Sequence, residues 1–338
     1  MSGPNRYPFN PALLDAMPEN LAELYRDLEA RLLKEICSRL NAAGELNEVT
    51  VQDIRALRSH GIPLDQIAGA IQQTTGIGEG KLPALLDDVV SRNQRYYTEL
   101  ADLARVTMPD HLVDLADVYA VYEQTRAEYR NITRSLGFLT DNGRRILSPG
   151  NAYQWALDKA ELQVLSGTGS YNQAIRGAVL ELADSGLKTV NFESGHVDQA
   201  DVAVRRAVMT GVNQLCQKYA DRSMDYLETD LVEVSAHSGA RDVDGPKGWE
   251  NHKVWQGKVY RWNQPGHPRT EGAYPDFVAV CGYGDVQGIE GANRRHHYSP
   301  FIEGVMERTY TDEQLASIDP PPITYEGRTY TSVFPIQM

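Results

Sequence analysis

Apolar residues recur every three or four positions through much of the first 230 residues, and that rhythm stops near Thr229. Leu21, Leu24, Leu28, Leu32, Ile36 and Leu40 form one stripe of a helix. Asn20 is its candidate N-cap, and Asp27 four residues before Arg31 adds at most about 0.5 kcal/mol. Thr50 to His60 reads as a short helix stopped by Gly61, with Pro63 just beyond. Pro83 suits the first turn of a helix over about 83–107, with Leu86, Val90, Tyr97, Leu100 and Ala104 on its buried face. Residues 111–135 and 152–186 also carry helical spacing, punctuated by Gly143, Pro149 and the Gly167–Gly169 turn. The longest predicted helix covers about 197–228, where Val204, Val208, Val212, Leu215 and Tyr219 share a face. Such a helix is about 45–48 Å long, suited to a rod or bundle more than to a compact catalytic pocket. Beyond it, Leu231 to His237 alternates like a strand.

Charge and glycine content change at the same place. Residues 1–236 carry 23 basic and 33 acidic side chains, residues 237–310 carry 9 of each, and residues 311–338 carry 1 and 4. The middle piece holds 11 of the 28 glycines and 3 of the 4 tryptophans. The expected fold class is therefore α+β, an elongated N-terminal helical region followed by a small turn-rich module. The expected organisation is a helical region over 1–150, a helical arm over 151–230, a compact α+β module over 231–310 and a tail over 311–338. A chain of 338 residues suits two or three domains.

Several functions are disfavoured. The net charge of −13 argues against direct DNA binding, which needs clustered Lys and Arg. No window approaches 18 uninterrupted apolar residues, so no membrane span is expected, and the N-terminus lacks a secretory layout. Cys37, Cys216 and Cys281 are odd in number and widely spaced, which fits neither a disulfide framework nor a zinc knuckle. Gly76-Ile77-Gly78-Glu79-Gly80-Lys81 looks phosphate-like, but Thr75 and Leu82 stand where a P-loop needs Gly and Ser or Thr. A flexible turn before the Pro83 helix is the plainer expectation. Ser166-Gly167-Thr168-Gly169 does not complete a dinucleotide fingerprint.

Chemistry-bearing side chains concentrate in the glycine-rich module. His237, Gly239, Arg241, His252, Trp255, Gln256 and Gly257 lie close together in sequence, followed by Cys281, Gly282, Tyr283, Gly284, Asn293, Arg294, Arg295, His296 and His297. Imidazole and thiolate from His237, His252, Cys281 and His296 or His297 would suit zinc, although their spacing matches no standard knuckle. A general-base His with an Arg electrophile, drawn from His237, Arg241, His252 and His296, would suit a nuclease. The plainer reading is a small domain held by buried polar networks, with Trp and Tyr supplying area and His and Arg satisfying backbone groups. On that reading there are no catalytic residues, no cofactor and no metal.

The ordered strings Val234–Arg241, His252–Tyr260, Tyr274–Phe277, Cys281–Gly284, Gly291–His296 and Ser299–Val305 together resemble the phage minor capsid protein 2 family of tailed bacteriophages. The family is similar in layout to Mu-type head morphogenesis proteins. The resemblance implies a structural, non-enzymatic minor virion component, acting in the capsid interior near the portal and, during assembly, in the host cytoplasm. It implies the portal protein or the major capsid protein as partners. It marks His237, Gly239, Arg241, His252, Trp255, Gln256, Gly257, Gly282, Tyr283, Gly284, Asn293, Arg295 and His296 as family-motif positions of structural value. Relatives typically place Cys where this chain has Arg294, and many continue past Tyr325–Tyr330 into a basic helix. Those departures weaken a thiolate ligand at 294 and a DNA-touching tail. Arg294 and Arg295 are candidate docking anchors, with a solvated or internally paired role as the alternative. A virion-delivered nuclease is the competing class.

Overall fold

A computed structural model describes residues 8–9, 11–44, 49–60, 64–190, 195–263, 274–285, 287–289, 296–319, 321, 323–325 and 328–330. The fold is α+β. In chain order the helices are α1 (Pro11–Ala16), α2 (Glu19–Gly44), α3 (Val51–His60), α4 (Leu64–Ala104), α5 (Leu115–Arg134), α6 (Pro149–Ser166), α7 (Tyr171–Ser185), α8 (Ala200–Leu227), α9 (Phe277–Cys281) and α10 (Asp312–Ala316). The strands are β1 (Gly137–Thr140), β2 (Arg145–Leu147), β3 (Leu187–Val190), β4 (Val197–Gln199), β5 (Leu231–Val234), β6 (Val259–Arg261), β7 (Tyr298–Pro300), β8 (Ile323–Tyr325) and β9 (Arg328–Tyr330). Among the described residues no helix is long and apolar enough to cross a membrane.

The chain divides into two compact units, each built from separated stretches. One comprises residues 17–84 and 123–208; the other comprises 1–16, 85–122 and 209–338. The first contains a four-stranded antiparallel sheet in the order β2-β1-β3-β4, with Phe138 opposite Leu147 on one side and Leu187 on the other. This sheet lies within the stretch expected to be helical. Its strands are only three or four residues long, too short to print a period of two. Asp141, Asn142 and Gly143 all take positive φ in the β1–β2 turn, a conformation those residue types tolerate best.

The helical punctuation behaves as its chemistry demands. Ser148 caps α6 with Pro149 in its first turn, and Gly167 closes it in the left-handed conformation. Ser170 and Gln173 form a reciprocal capping box on α7. The α2 stripe is buried at Leu21, Leu28, Leu32, Ile36 and Leu40. That helix begins at Glu19, one residue before its expected cap. The long helix begins at Ala200, because residues 197–199 pair as β4 instead.

Two expectations around Pro83 are corrected. The helix does not start there: α4 runs through it from Leu64. A mid-helix proline costs about 3 kcal/mol, but buried Ile67, Ala70, Thr74, Leu82, Leu86 and Val89 continue one stripe across it, and their burial outweighs that cost. Gly76 to Lys81 is accordingly two turns of α4 and not a flexible turn. Within it, Gly78 faces α5: a Cβ there would lie 1.6 Å from the Tyr129 hydroxyl oxygen. Tyr129 is fully buried and meets Tyr25 edge-on at 5.6 Å. Glu79 receives bonds from Arg126 and Arg130, which hold its carboxyl below the usual range against the opposing effect of burial.

The second unit contains a three-stranded antiparallel sheet in the order β6-β5-β7. The central strand β5 is buried at all four positions, so its apparent alternation hides a strand covered on both faces. Trp255, Tyr260, Trp262, Phe277, Cys281 and Tyr298 form its core together with Tyr96, Tyr97 and Leu100 of α4 and Tyr219 and Met224 of α8. The glycine-rich module is thus completed by two helices from the acidic part of the chain. Trp249 is only half-buried, lying against Gly282.

Asp221 of α8 accepts a 2.5 Å bond from the Tyr298 hydroxyl. Burial nevertheless pushes its carboxyl up to about 6 from 3.8. A raised carboxyl is favourable to the fold at low pH, and that advantage disappears as pH rises from about 4 through about 6. Asp221→Asn keeps an acceptor for Tyr298 and removes the charge. It is expected to raise stability at pH 8 by on the order of 2 kcal/mol, with little effect at pH 4, in urea titrations at the two pH values.

Candidate functional histidine cluster

Three histidines and Trp255 of the expected site meet in the three-stranded unit. His296 enters just before β7, His237 follows β5, and His252 opens a single 3-10 turn (His252–Val254) capped by Asn251. The His237 and His296 rings stack at 4.2 Å with a 26° tilt. His252 meets His296 edge-on at 5.4 Å, and Trp255 closes the group 4.8 Å from His296 and 4.7 Å from His252. Trp255 is wholly buried, and His296 is 2% exposed.

Backbone carbonyls orient all three rings. His296 Nδ1 lies 3.1 Å from Ser235 O, His237 Nδ1 lies 2.9 Å from Ser238 O, and His252 Nε2 lies 3.2 Å from Gln287 O. A carbonyl only accepts, so each of these nitrogens carries the proton and each ring can be neutral. His296 Nε2 is buried with no hydrogen-bond partner among the described residues. Burial holds its imidazole well below 6.5, and His237, His252 and His297 add to that effect against the opposing bond to Ser235.

The flanking motif residues support this cluster from the backbone. The Gln256 side-chain oxygen accepts from His237 N at 3.1 Å. Arg241 contributes its carbonyl, which accepts from His252 N and Lys253 N, and its side chain is exposed. Gly257 takes φ +68°, and a Cβ there would lie 2.4 Å from Leu315 Cδ2 and 3.2 Å from Ala236 Cβ. Gly239 donates its N–H to Asp319 Oδ1 at 2.8 Å.

Gly282, Tyr283 and Gly284 belong elsewhere in the unit. Gly282 ends α9 in the left-handed conformation, and the Tyr283 hydroxyl accepts from Gln217 at 2.8 Å. Gly284 also has positive φ, with open space where a Cβ would stand. Cys281 sits in the aromatic core, where burial raises its thiol well above the ordinary value. Asn293, Arg294 and Arg295 lie outside the described residues.

This geometry bears on the two chemical readings. Lone pairs on imidazole lie in the ring plane, so two rings stacked with a small tilt point theirs side by side and not at one ion. Among the described residues, no three His, Cys, Asp or Glu side chains are grouped to hold a metal. A nuclease base must reach substrate, whereas His296 is sealed beneath His237 and Trp255.

Residues outside the expected set prove equally important. Ser235 serves both neighbouring histidines, accepting from His297 N at its Oγ (3.0 Å) as well as from His296 at its carbonyl. Glu233, 1% exposed on β5, accepts from Thr309 N at 2.6 Å and Thr309 Oγ1 at 2.7 Å. Its signal was readable as a lone acid within Leu231-Val232-Glu233-Val234. Gly288 leaves no room for a side chain, since a Cβ would fall 1.8 Å from Gly282 O. Nothing in its local sequence announces that.

The model of the family described as phage minor capsid protein 2 matches residues 9–330. The chain is similar to a curated protein named "Structural protein" from Lactococcus phage LL-H, with 27% identity over 271 residues, 75% of this chain and 68% of that one. No solved structure matches. The motif strings that converge on the histidine cluster lie inside a match spanning almost the whole sequence, and the chain belongs to the phage minor capsid protein 2 family.

Proposed function

We propose that this structural phage protein acts inside the capsid near the portal during head assembly, bridging the portal protein or the major capsid protein and transforming no substrate. The observation that carries this reading is the family match over 9–330, with a phage structural protein as a similar relative. The buried His296 supports it: its Nδ1 is occupied with the Ser235 carbonyl and its ring with those of His237, His252 and Trp255, an arrangement that holds a fold together. The net charge of −13 supports it as well, since an acidic protein inside the head is not trapped on packaged DNA. In this reading the protein passes through the host cytoplasm during assembly and ends in the virion.

Co-expression with the phage portal and major capsid proteins is expected to yield a stable complex with at least one of them on affinity purification. Failure to retain either, together with normal infectious particles from a phage lacking the gene, would remove the proposed role. The competing nuclease reading predicts divalent-metal-dependent DNA cleavage that disappears in His252→Ala.

A further inference from the structure

The segment Ser235–Gly239 connects the histidine cluster to the strap Thr309–Asp319. Ser235 receives His296 and His297, and His237 stacks on His296. Within the same five residues, the Ala236 carbonyl accepts from the Tyr310 hydroxyl at 3.2 Å, and Gly239 N donates to Asp319. Leu315 lies against Gly257 beside Ala236. The strap's own helix, α10, buries none of its residues. Its other described ties include Thr309 to Glu233, Lys253 Nζ to Asp319 at 3.1 Å, Ser238 to Asp319, Arg308 to Asp312 at 2.9 Å, and Arg308 to the Gly257 carbonyl. A strap with so little buried area depends on these few polar contacts.

We propose that the His237–His252–His296 cluster is an acid-sensitive lock that keeps the strap Thr309–Asp319 seated. The inference concerns the isolated chain and stands apart from the assembly role above.

His296 already spends its Nδ1 proton on Ser235, so a second proton at Nε2 places a buried charge beneath a stacked imidazole. Among the described residues, the titratable groups that act on it are His237 from the segment after β5, His252 from the 3-10 turn and His297 beside β7, and Trp255 is neutral. Further ionisable groups include Glu233, which holds Thr309, Lys253, which holds Asp319, and the carboxyls of Asp319 and Asp221. Burial raises the Asp319 carboxyl, but bonds from Gly239 and Lys253 outweigh that and hold it below its ordinary range, so this strap contact stays charged in mild acid. Asp221 titrates at about 6 with the opposite sign: its protonation favours the fold and cannot imitate release.

The sign follows for His296. Its folded value is depressed, so the cluster is fully stable above the ordinary imidazole value of 6.5, and stability falls as pH drops below it. Relief is closest to hand at His237, which is already half-exposed. Moving His237 outward carries Ala236 and Gly239 away from Tyr310 and Asp319, and the strap is released.

Hydrogen–deuterium exchange on the full chain at pH 7.5 and 5.5, corrected for intrinsic rates, tests this. Strap amides are expected to lose about tenfold protection at pH 5.5, the effect of one proton over one pH unit, while the β1–β3 sheet keeps its protection. His296→Asn retains a donor for Ser235 without titrating, and His237→Asn removes the stacked ring from the half-exposed side. Either variant, if folded at pH 7.5, is expected to show a smaller pH effect on the strap. Unchanged wild-type protection at the two pH values overturns the proposal. So does simultaneous loss of protection in both units, or an undiminished pH effect in either folded variant.

Discussion

Trp255→Ala is expected to cost about 3–5 kcal/mol and to unfold the three-stranded unit under conditions where the wild type is folded. Trp255 is wholly buried and touches both His252 and His296 with its ring. Its indole N–H donates to the Trp249 carbonyl at 3.0 Å, and its own carbonyl accepts from the Tyr260 hydroxyl at 2.7 Å. The backbone acceptor for Tyr260 survives truncation, so the loss is packing plus one hydrogen bond. Trp255→Phe isolates part of that loss. It keeps an aromatic ring and leaves the Trp249 carbonyl without its donor, for an expected cost of about 1–3 kcal/mol. Urea denaturation followed by near-ultraviolet circular dichroism reads both variants. A Trp255→Ala midpoint within 1 kcal/mol of the wild type, by the usual slope, would mean that the cluster is not part of the core.

Gly78→Ala should behave opposite to its neighbours. An added methyl at Gly78 meets Tyr129 at a distance no atom pair tolerates, and Tyr129 is held by full burial and by Tyr25, whose hydroxyl is in turn tied to Thr133 at 2.8 Å. The expected cost is about 3 kcal/mol, at the upper end for overpacking. At Gly76 and Gly80 a Cβ meets nothing within 4 Å. There alanine removes the entropy penalty of a mid-helix glycine and is expected to stabilise by about 0.5–1 kcal/mol. Thermal melts of the three single variants separate packing from propensity in one helix. Equal destabilisation at all three positions would contradict the close passage of α4 and α5.

What could be read in advance divides along physical lines. Signals carried by neighbouring residues were legible: the α2 stripe, the break at Pro149, the glycine stop at Gly167, and the onset of strand at Leu231. Long-range packing overrode local rules in α4, where a buried stripe carries the helix through Pro83. The glycines at 76, 78 and 80 look alike in the chain, and only Gly78 is fixed by a neighbour some fifty residues away. The candidate site shows the same contrast. The type and clustering of His237, His252, Trp255 and His296 singled them out, while Ser235, Glu233 and Gly288 acquire their roles from partners that local sequence does not name.

The patchwork composition of the two units has a consequence for biosynthesis. The stretch 85–122 emerges from the ribosome long before residues 209–338, with which it forms one unit. At about 5–20 residues per second, Tyr96, Tyr97 and Leu100 wait on the order of ten seconds or more for Trp262 and Tyr298 to be translated. The unit made of 17–84 and 123–208 has all its parts earlier. The nascent chain therefore carries a sticky aromatic stretch through most of its synthesis, and a ribosome stalled before codon 298 would release a polypeptide with that stretch uncovered.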